Sequence, residues 1–157
     1  FGRPQPVSKG GSNMCESYKV RCQCGKNSAD IFFGRNILNG RSVAKLYCPE
    51  CSKGVDKDAD NRVWDNGWVL EFDMEELRLH APTMDISPEA VTAEWVFDNG
   101  FATWAGITPD DAERRNRERA EILRLSKIHM SAYLEVMKRW GKERERRFQE
   151  EGWRKMR

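Results

Sequence analysis

The residues best suited to carry chemistry are five cysteines, which all lie in the first third of the chain: Cys15, Cys22, Cys24, Cys48 and Cys51. An odd number of cysteines in close-spaced pairs argues against a disulfide framework. Two close pairs separated by a hairpin-sized insert can place four thiolates around one tetrahedral Zn²⁺. We therefore predict that Cys22, Cys24, Cys48 and Cys51 bind zinc and that Cys15 is a free thiol. The alternative is that all five are free buried thiols.

The two pairs differ in spacing, and each spacing has its own way of directing two sulfurs at one ion. Residues 48–51 read CPEC, and the proline favours a turn that brings both sulfurs to the same side. Residues 22–24 read CQC, and in an extended strand residues two apart point the same way. Gly25 then gives the chain room to bend away from the metal. Because all four ligands are thiolates, no coordination position is open, which is typical of a structural site.

This pattern resembles the zinc ribbon (zinc-β-ribbon) family over residues 14–72. The CPEC half matches that family, and rubredoxins use a similar second turn, whereas the CQC half has one residue between its cysteines instead of the usual two. That departure weakens a rubredoxin-like interpretation more than a zinc one, and it leaves open whether Cys15 replaces Cys22 or Cys24. The resemblance implies a small antiparallel β-domain held together by zinc, in the N-terminal half of the chain only.

Strand and turn signals indicate how the thiols are positioned. The patterns predict strands over residues 17–24, 29–33, 43–48 and 68–72. Asn39-Gly40 is a strong hairpin turn signal between the second and third of them. We expect a flexible arm over 1–13, where Gly, Pro and Ser are frequent, and a zinc-ribbon β-domain over 14–86.

Helix signals dominate the remainder of the chain. Asp73 can cap a short helix over 73–79, and Ser87-Pro88 predicts a helix that runs to about Asp98 and ends at Gly100. Thr108-Pro109, followed by two acids, predicts a second, long helix with no proline after it and no glycine before Gly141. We therefore predict an α+β fold, with a small antiparallel zinc-ribbon β-domain, a short helix, and a long charged C-terminal helix within a helical region over 87–157.

A six-residue pattern occurs twice, as VWDNGW over 63–68 and as VFDNGF over 96–101. Asn-Gly favours positive φ, so each copy is predicted to reverse the chain between its aromatic residues. These aromatics either face a partner protein or pack into the core, and core packing is the better expectation for most of them. Together with aromatics of the C-terminal helix, the candidate partner-binding residues are Trp64, Trp68, Phe97, Phe101, Trp140, Phe148 and Trp153.

The net charge of +2 conceals a segregation of charge along the chain. Residues 1–53 carry nine basic and three acidic side chains, residues 54–109 carry three and twelve, and residues 110–157 carry fifteen and ten. A basic N-terminal third favours nucleic-acid binding, whereas the acidic middle would repel phosphate. Hydrophobic residues make up only 39% of the chain, which gives a modest core that a bound metal would help to stabilise.

The sequence supports no enzyme class. His80 and His129 lie far apart without a neighbouring nucleophile, and no glycine-rich phosphate loop is present. No apolar run reaches the length of a membrane span, and no signal-like stretch follows Phe1, so we expect a cytoplasmic chain that is processed or truncated. The predicted function is a non-catalytic, zinc-binding accessory or adaptor subunit that docks on a larger protein complex. The alternatives are a nucleic-acid-binding zinc ribbon and, less favoured, a rubredoxin-like electron carrier.

Overall fold

A computed structural model describes residues 17–105, 108–109 and 111–154, so Cys15 and the predicted N-terminal arm lie outside the described residues. The chain divides into two compact units, Phe1–Ala105 and Gly106–Arg157. Antiparallel strands and short helices occupy the first unit and helices the second, which confirms the predicted α+β class with its long C-terminal helix. Among the described residues, no helix combines the length and the apolar composition that crossing a membrane requires.

The first unit contains two three-stranded antiparallel sheets. The strands are β1 (Tyr18–Arg21), β2 (Ser28–Phe32), β3 (Val43–Tyr47), β4 (Arg62–Asp65), β5 (Trp68–Phe72) and β6 (Thr103–Trp104). One sheet has the order β1-β2-β6 and the other β3-β5-β4. In β1 the side chains alternate, with Tyr18 and Val20 buried and their neighbours exposed, as expected for a strand with one face in a core. All four predicted strands are present, but β1 ends at Arg21 and so excludes Cys22 and Cys24, which the prediction placed in the strand.

Trp104 lies at the centre of this core. Its side chain is fully buried, and the rings of Trp68 and Phe97 pack against it edge-on, with centroids at 6.4 and 5.6 Å. Its indole Nε1 donates a 2.7 Å hydrogen bond to the carboxylate of Asp65, which is itself buried. The aromatic body therefore fills the core while its one polar atom is satisfied.

The predicted hairpin turn at Asn39-Gly40 is wrong. Asn39 has an extended backbone, and its side chain accepts a hydrogen bond from the Arg41 amide, so it caps a single 3-10 turn over Gly40–Ser42. A Cβ atom at Gly40 would lie 2.4 Å from the ring of Tyr18. The glycine is thus required by close packing against Tyr18 and not by a positive φ angle.

Two short helices follow β5. The first, α1 (Met74–His80), begins after Asp73, whose side chain accepts hydrogen bonds from the Glu75 and Glu76 amides, and this confirms the predicted cap. The second, α2 (Ala93–Asp98), begins five residues later than Ser87-Pro88 predicted, because the Thr92 hydroxyl accepts from the Trp95 amide and forms the actual cap.

The two copies of the repeated pattern reverse the chain in different ways. In 63–68, Asn66 and Gly67 both have positive φ, at 52° and 93°, and they form the two-residue turn of the β4–β5 hairpin. In 96–101, only Gly100 has positive φ, at 81°, and it follows the C-terminus of α2. The same six-residue signal therefore closes a hairpin in one place and ends a helix in the other.

The sequence predicts one long helix from Thr108 onward, but the second unit contains two helices. Helix α3 (Ala112–Leu123) is followed by a 3-10 turn, Arg124–Lys127, and then by α4 (Met130–Glu151). The chain breaks because the Ser126 hydroxyl donates to the Leu123 carbonyl and His129 Nδ1 accepts from the Ala132 amide, which caps α4. Helix α4 continues through Gly141 without a positive φ angle there.

A buried carboxylate connects the start of α3 to the second half of α4. Asp111 is 1% exposed, and it accepts a 2.9 Å hydrogen bond from Arg114 Nε and another from Arg144. Arg147 contributes a third guanidinium, 3.7 Å from the same carboxylate. Arg144 and Arg147 both lie over the ring of the buried Phe148, so charge pairing and aromatic packing occur together at this position.

Candidate metal centre

The four predicted ligands form one cluster. The Sγ atoms of Cys22, Cys24, Cys48 and Cys51 all lie within 4.8 Å of one another, and Cys24 Sγ is 3.9 Å from Cys48 Sγ. Sulfurs bound at about 2.3 Å to a tetrahedral zinc ion lie about 3.8 Å apart, so this spacing fits a four-thiolate metal site. It does not fit a disulfide, whose sulfurs are about 2.05 Å apart.

The first pair lies in a tight turn between β1 and β2, and the prediction that both thiols lie in an extended strand is wrong. The Gly25 amide donates to the Cys22 carbonyl at 2.8 Å, and the Cys22 amide donates to the Asn27 carbonyl at 2.8 Å. These two bonds curl residues 22–27 into a loop around the sulfurs. Gly25 has a φ of 78°, so the chain does bend at the glycine, as the sequence predicted.

The second pair lies directly after β3. Cys48 follows the end of the strand, and Cys51 begins a 3-10 turn, Cys51–Gly54. The Ser52 amide donates to the Cys48 carbonyl at 2.9 Å, so the chain folds back within four residues and brings both sulfurs to one side. This is the turn that the CPEC sequence predicted.

Backbone amides point at the sulfurs and connect the two pairs. The Cys48 amide donates to Cys22 Sγ at 3.3 Å, and the Lys26 amide lies 3.5 Å from Cys24 Sγ. Cys22 and Cys48 are buried, Cys51 is half-buried and Cys24 is exposed. Amide donors of this kind stabilise negative charge on thiolate ligands, so the surroundings of the cluster favour the charged form that a metal binds.

The thiols also affect one another's ionisation. Burial opposes ionisation of Cys48, but amide donors from Cys51 and Glu50 and side-chain donors from Asn27 and Cys22 outweigh it and lower its pKa to about 6. Hydrogen bonding to Cys22, together with burial and the neighbouring thiols, raises the pKa of Cys51 to about 12. A backbone hydrogen bond from Lys26 lowers the pKa of Cys24 as well. Cys24 and Cys48 therefore ionise more readily than a free thiol while Cys51 resists, and a bound cation would remove the repulsion among the charged sulfurs.

Ser52 is a supporting residue that the sequence did not reveal. Its hydroxyl is buried and donates a 2.6 Å hydrogen bond to the carbonyl of Gly67, in the β4–β5 turn. Gly67 in turn lies against Pro49, which a Cβ atom on the glycine would approach to 3.4 Å. No local sequence pattern could have identified Ser52 as a supporting residue, because its hydrogen-bond partner lies fifteen residues away in the chain.

The seven predicted partner-binding aromatics fall into two groups by exposure. Trp68, Phe97 and Phe101 are buried in the first unit, and Phe148 and Trp153 are buried in the second. Of the four aromatics in the repeated pattern, Trp68, Phe97 and Phe101 pack into the core, as was expected for most of them. Trp64 and Trp140 are half-buried, with Lys57 over the ring of Trp64 at 5.3 Å. Binding of a partner by these two residues stays a prediction.

Comparison with protein-family models, with curated proteins and with solved structures finds no match for this chain. The assignment of a metal centre therefore depends on the geometry of the four sulfurs and on the amides that face them.

Proposed function

We propose that the four-cysteine cluster binds Zn²⁺ and that the ion is structural. The observation that carries the proposal is the convergence of Cys22, Cys24, Cys48 and Cys51 within 4.8 Å, from two loops that belong to different sheets. With four thiolate ligands, a bound zinc ion has no open position for water or substrate. Zinc, when bound, supplies stability to a unit whose chain has a low apolar content.

The metal content of the purified chain tests this proposal. We expect about one zinc per chain and no visible colour, and Cys48→Ser should lose the metal because a buried ligand is removed. Cys15→Ser is the matched control, since Cys15 is predicted to be a free thiol, and it should keep the metal. Iron with its charge-transfer colour would instead support the electron carrier, and a metal-free protein that is fully folded would overturn the proposal.

We further propose that the chain is a non-catalytic accessory or adaptor subunit that docks on a larger protein. A closed thiolate site offers no catalytic position, and the half-buried rings of Trp64 and Trp140 retain surface that a partner can cover.

Native co-purification from the source organism, followed by mass spectrometry, tests docking. We expect the chain to elute at a larger mass than the purified chain alone, with one other protein in constant ratio, and Trp64→Ala to reduce that ratio. Trp140→Ala tests whether the second unit also contacts the partner, and it should likewise reduce the amount of partner that co-purifies. Elution as a free monomer from the native extract would contradict the adaptor role without affecting the zinc proposal.

The second candidate is a nucleic-acid-binding zinc ribbon. It is supported by seven exposed basic side chains in the described part of the N-terminal third: Lys19, Arg21, Lys26, Arg35, Arg41, Lys45 and Lys53. Such a role requires binding that weakens steeply as salt rises, because phosphate contacts release counterions. Filter binding to single- and double-stranded DNA and RNA at two salt concentrations distinguishes this candidate from the adaptor.

A further inference from the structure

An exposed apolar surface lies where α3 meets α4. We call residues 123–134 the elbow, because the chain turns there from one helix into the other. Four of its large apolar side chains are exposed: Leu123 by 48%, Ile128 by 81%, Met130 by 56% and Leu134 by 59%. Over the described residues, only two other large apolar side chains are comparably exposed, Phe32 and Leu79. Four exposed apolar side chains within twelve residues make the elbow the part of the described chain best suited to an apolar partner.

The elbow holds its apolar side chains outward on a hydrogen-bonded backbone. The amides of Ile128 and His129 both donate to the Leu125 carbonyl, at 3.0 and 2.8 Å, and the Ser126 hydroxyl donates to Leu123 at 2.7 Å. His129 Nδ1 then accepts from the Ala132 amide at the start of α4. Because these bonds fix the turn, little further ordering is needed when Ile128 enters an apolar environment.

The charge of the elbow restricts what can cover it. Residues 123–134 contain Arg124 and Lys127 and no acidic residue. The nearest acids in the chain, Glu121 and Glu135, lie just outside it, and Arg124 is 3.8 Å from Glu121 in a contact where both side chains are more than 70% exposed and screened by water. A second copy would bring like charges together, whereas an anionic surface would be attracted.

We propose that the elbow inserts into the surface of an anionic lipid bilayer. Ile128, Met130, Leu123 and Leu134 would enter the boundary between headgroups and acyl chains, while Arg124 and Lys127 lie at the level of the lipid phosphates. Exposed apolar side chains flanked by cations are what interfacial membrane attachment requires, and each component alone gives only weak binding. This role goes beyond the proposed adaptor function and does not depend on the metal.

Sedimentation with lipid vesicles tests the proposal on the full, metal-loaded chain. We expect it to sediment with vesicles of phosphatidylcholine and phosphatidylglycerol but not with phosphatidylcholine alone, and to be released by high salt. Ile128→Ser should weaken binding by about tenfold, since it removes one large apolar side chain from the bilayer. Arg124→Gln should weaken vesicle binding by about fivefold, because each cation near an anionic surface contributes about 1 kcal/mol to the binding free energy.

Leu79→Ser is the matched control, because Leu79 is 70% exposed but lies in α1, outside the elbow. It should bind anionic vesicles as the parent chain does, and unchanged circular dichroism would show that Ile128→Ser is folded. Failure of the parent chain to sediment with anionic vesicles would overturn the proposal, and so would equal binding by Ile128→Ser. Light scattering could instead show that the parent chain is a dimer and that Ile128→Ser is a monomer. That result would assign the elbow to contact with a second copy and would also overturn the membrane proposal.

Discussion

At the scale of single residues, the cluster depends on side chains and amides that are not ligands. The amide of Cys48 donates to Cys22 Sγ and so connects the two cysteine pairs directly. The hydroxyl of Ser52 connects the second pair to the β4–β5 turn through the carbonyl of Gly67. Hydrogen bonds of this kind fix the orientation of metal ligands, so their loss reduces affinity even though no ligand is removed.

Ser52→Ala should destabilise the first unit by about 0.5–1.5 kcal/mol, because it removes the part-buried hydrogen bond between the Ser52 hydroxyl and the Gly67 carbonyl. Zinc affinity should fall by about tenfold or more, as expected when a supporting residue is removed. Thermal unfolding and competition with a chromophoric chelator measure the two effects. Ser87→Ala is the control, since Ser87 is exposed and outside the site. Equal stability of both variants would contradict the role given to Ser52.

At the scale of elements, helix ends follow the hydrogen bonds that the local side chains actually make. Asp73 and Thr92 cap helices, whereas Ser87 heads a turn, in which the Ala90 amide donates to the Ser87 carbonyl. In the second unit, Gly141 lies within α4, on its exposed side, and a Cβ atom there would meet nothing within 4 Å. Gly152 instead ends α4, with a φ of 85°.

Gly141→Ala should raise the free energy of unfolding of the second unit by about 0.5–1 kcal/mol, because alanine loses less backbone entropy than glycine in a helix. Denaturant unfolding followed by circular dichroism at a helical wavelength measures the change. Gly152→Ala is the opposing control and should destabilise, since alanine disfavours positive φ. If Gly141→Ala destabilised the helix, Gly141 would have a role that its open surroundings do not show.

The parts of the fold that were predicted correctly are those where the signal and its partner lie close in the chain. Residues 68–72 form β5 as predicted, and Asp73 caps the next helix as predicted. The cluster of four cysteines could be predicted because the spacing of thiols is itself a local signal. What could not be predicted depends on partners that are distant in the chain. Close packing against Tyr18 requires a glycine at position 40, and Trp104 pairs with Asp65, which lies 39 residues earlier.

At the scale of the whole molecule, the two compact units depend on different interactions. The first combines a core around Trp104 with the four-thiol cluster, and the second combines helices with the buried Asp111 and its arginines. A structural zinc site contributes about 10 kcal/mol or more of apparent binding free energy, comparable to the whole stability of a small domain of about 5–15 kcal/mol. We therefore expect the metal to matter far more to the first unit than to the second.

Removal of the metal by a strong chelator should unfold the first unit and leave the helices of the second largely intact. In nuclear magnetic resonance spectra, the indole signals of Trp68 and Trp104 should collapse to unfolded positions, whereas that of Trp140 should persist. Readdition of zinc should restore the dispersed signals. Simultaneous collapse of all three would show that the units unfold as one, and unchanged signals would show that the first unit is stable without a metal.

The pairing of Ile31 with Trp104 has a consequence for the order of events during synthesis. A ribosome releases the chain from its N-terminus, so both cysteine pairs emerge long before β6 completes its sheet. Contacts between distant segments form slowly, because the intervening chain must first be closed into a loop. Until then β2 has an open edge, which other nascent chains can pair with. Early metal capture would therefore shorten the time that this unfinished sheet is exposed to aggregation in the cell.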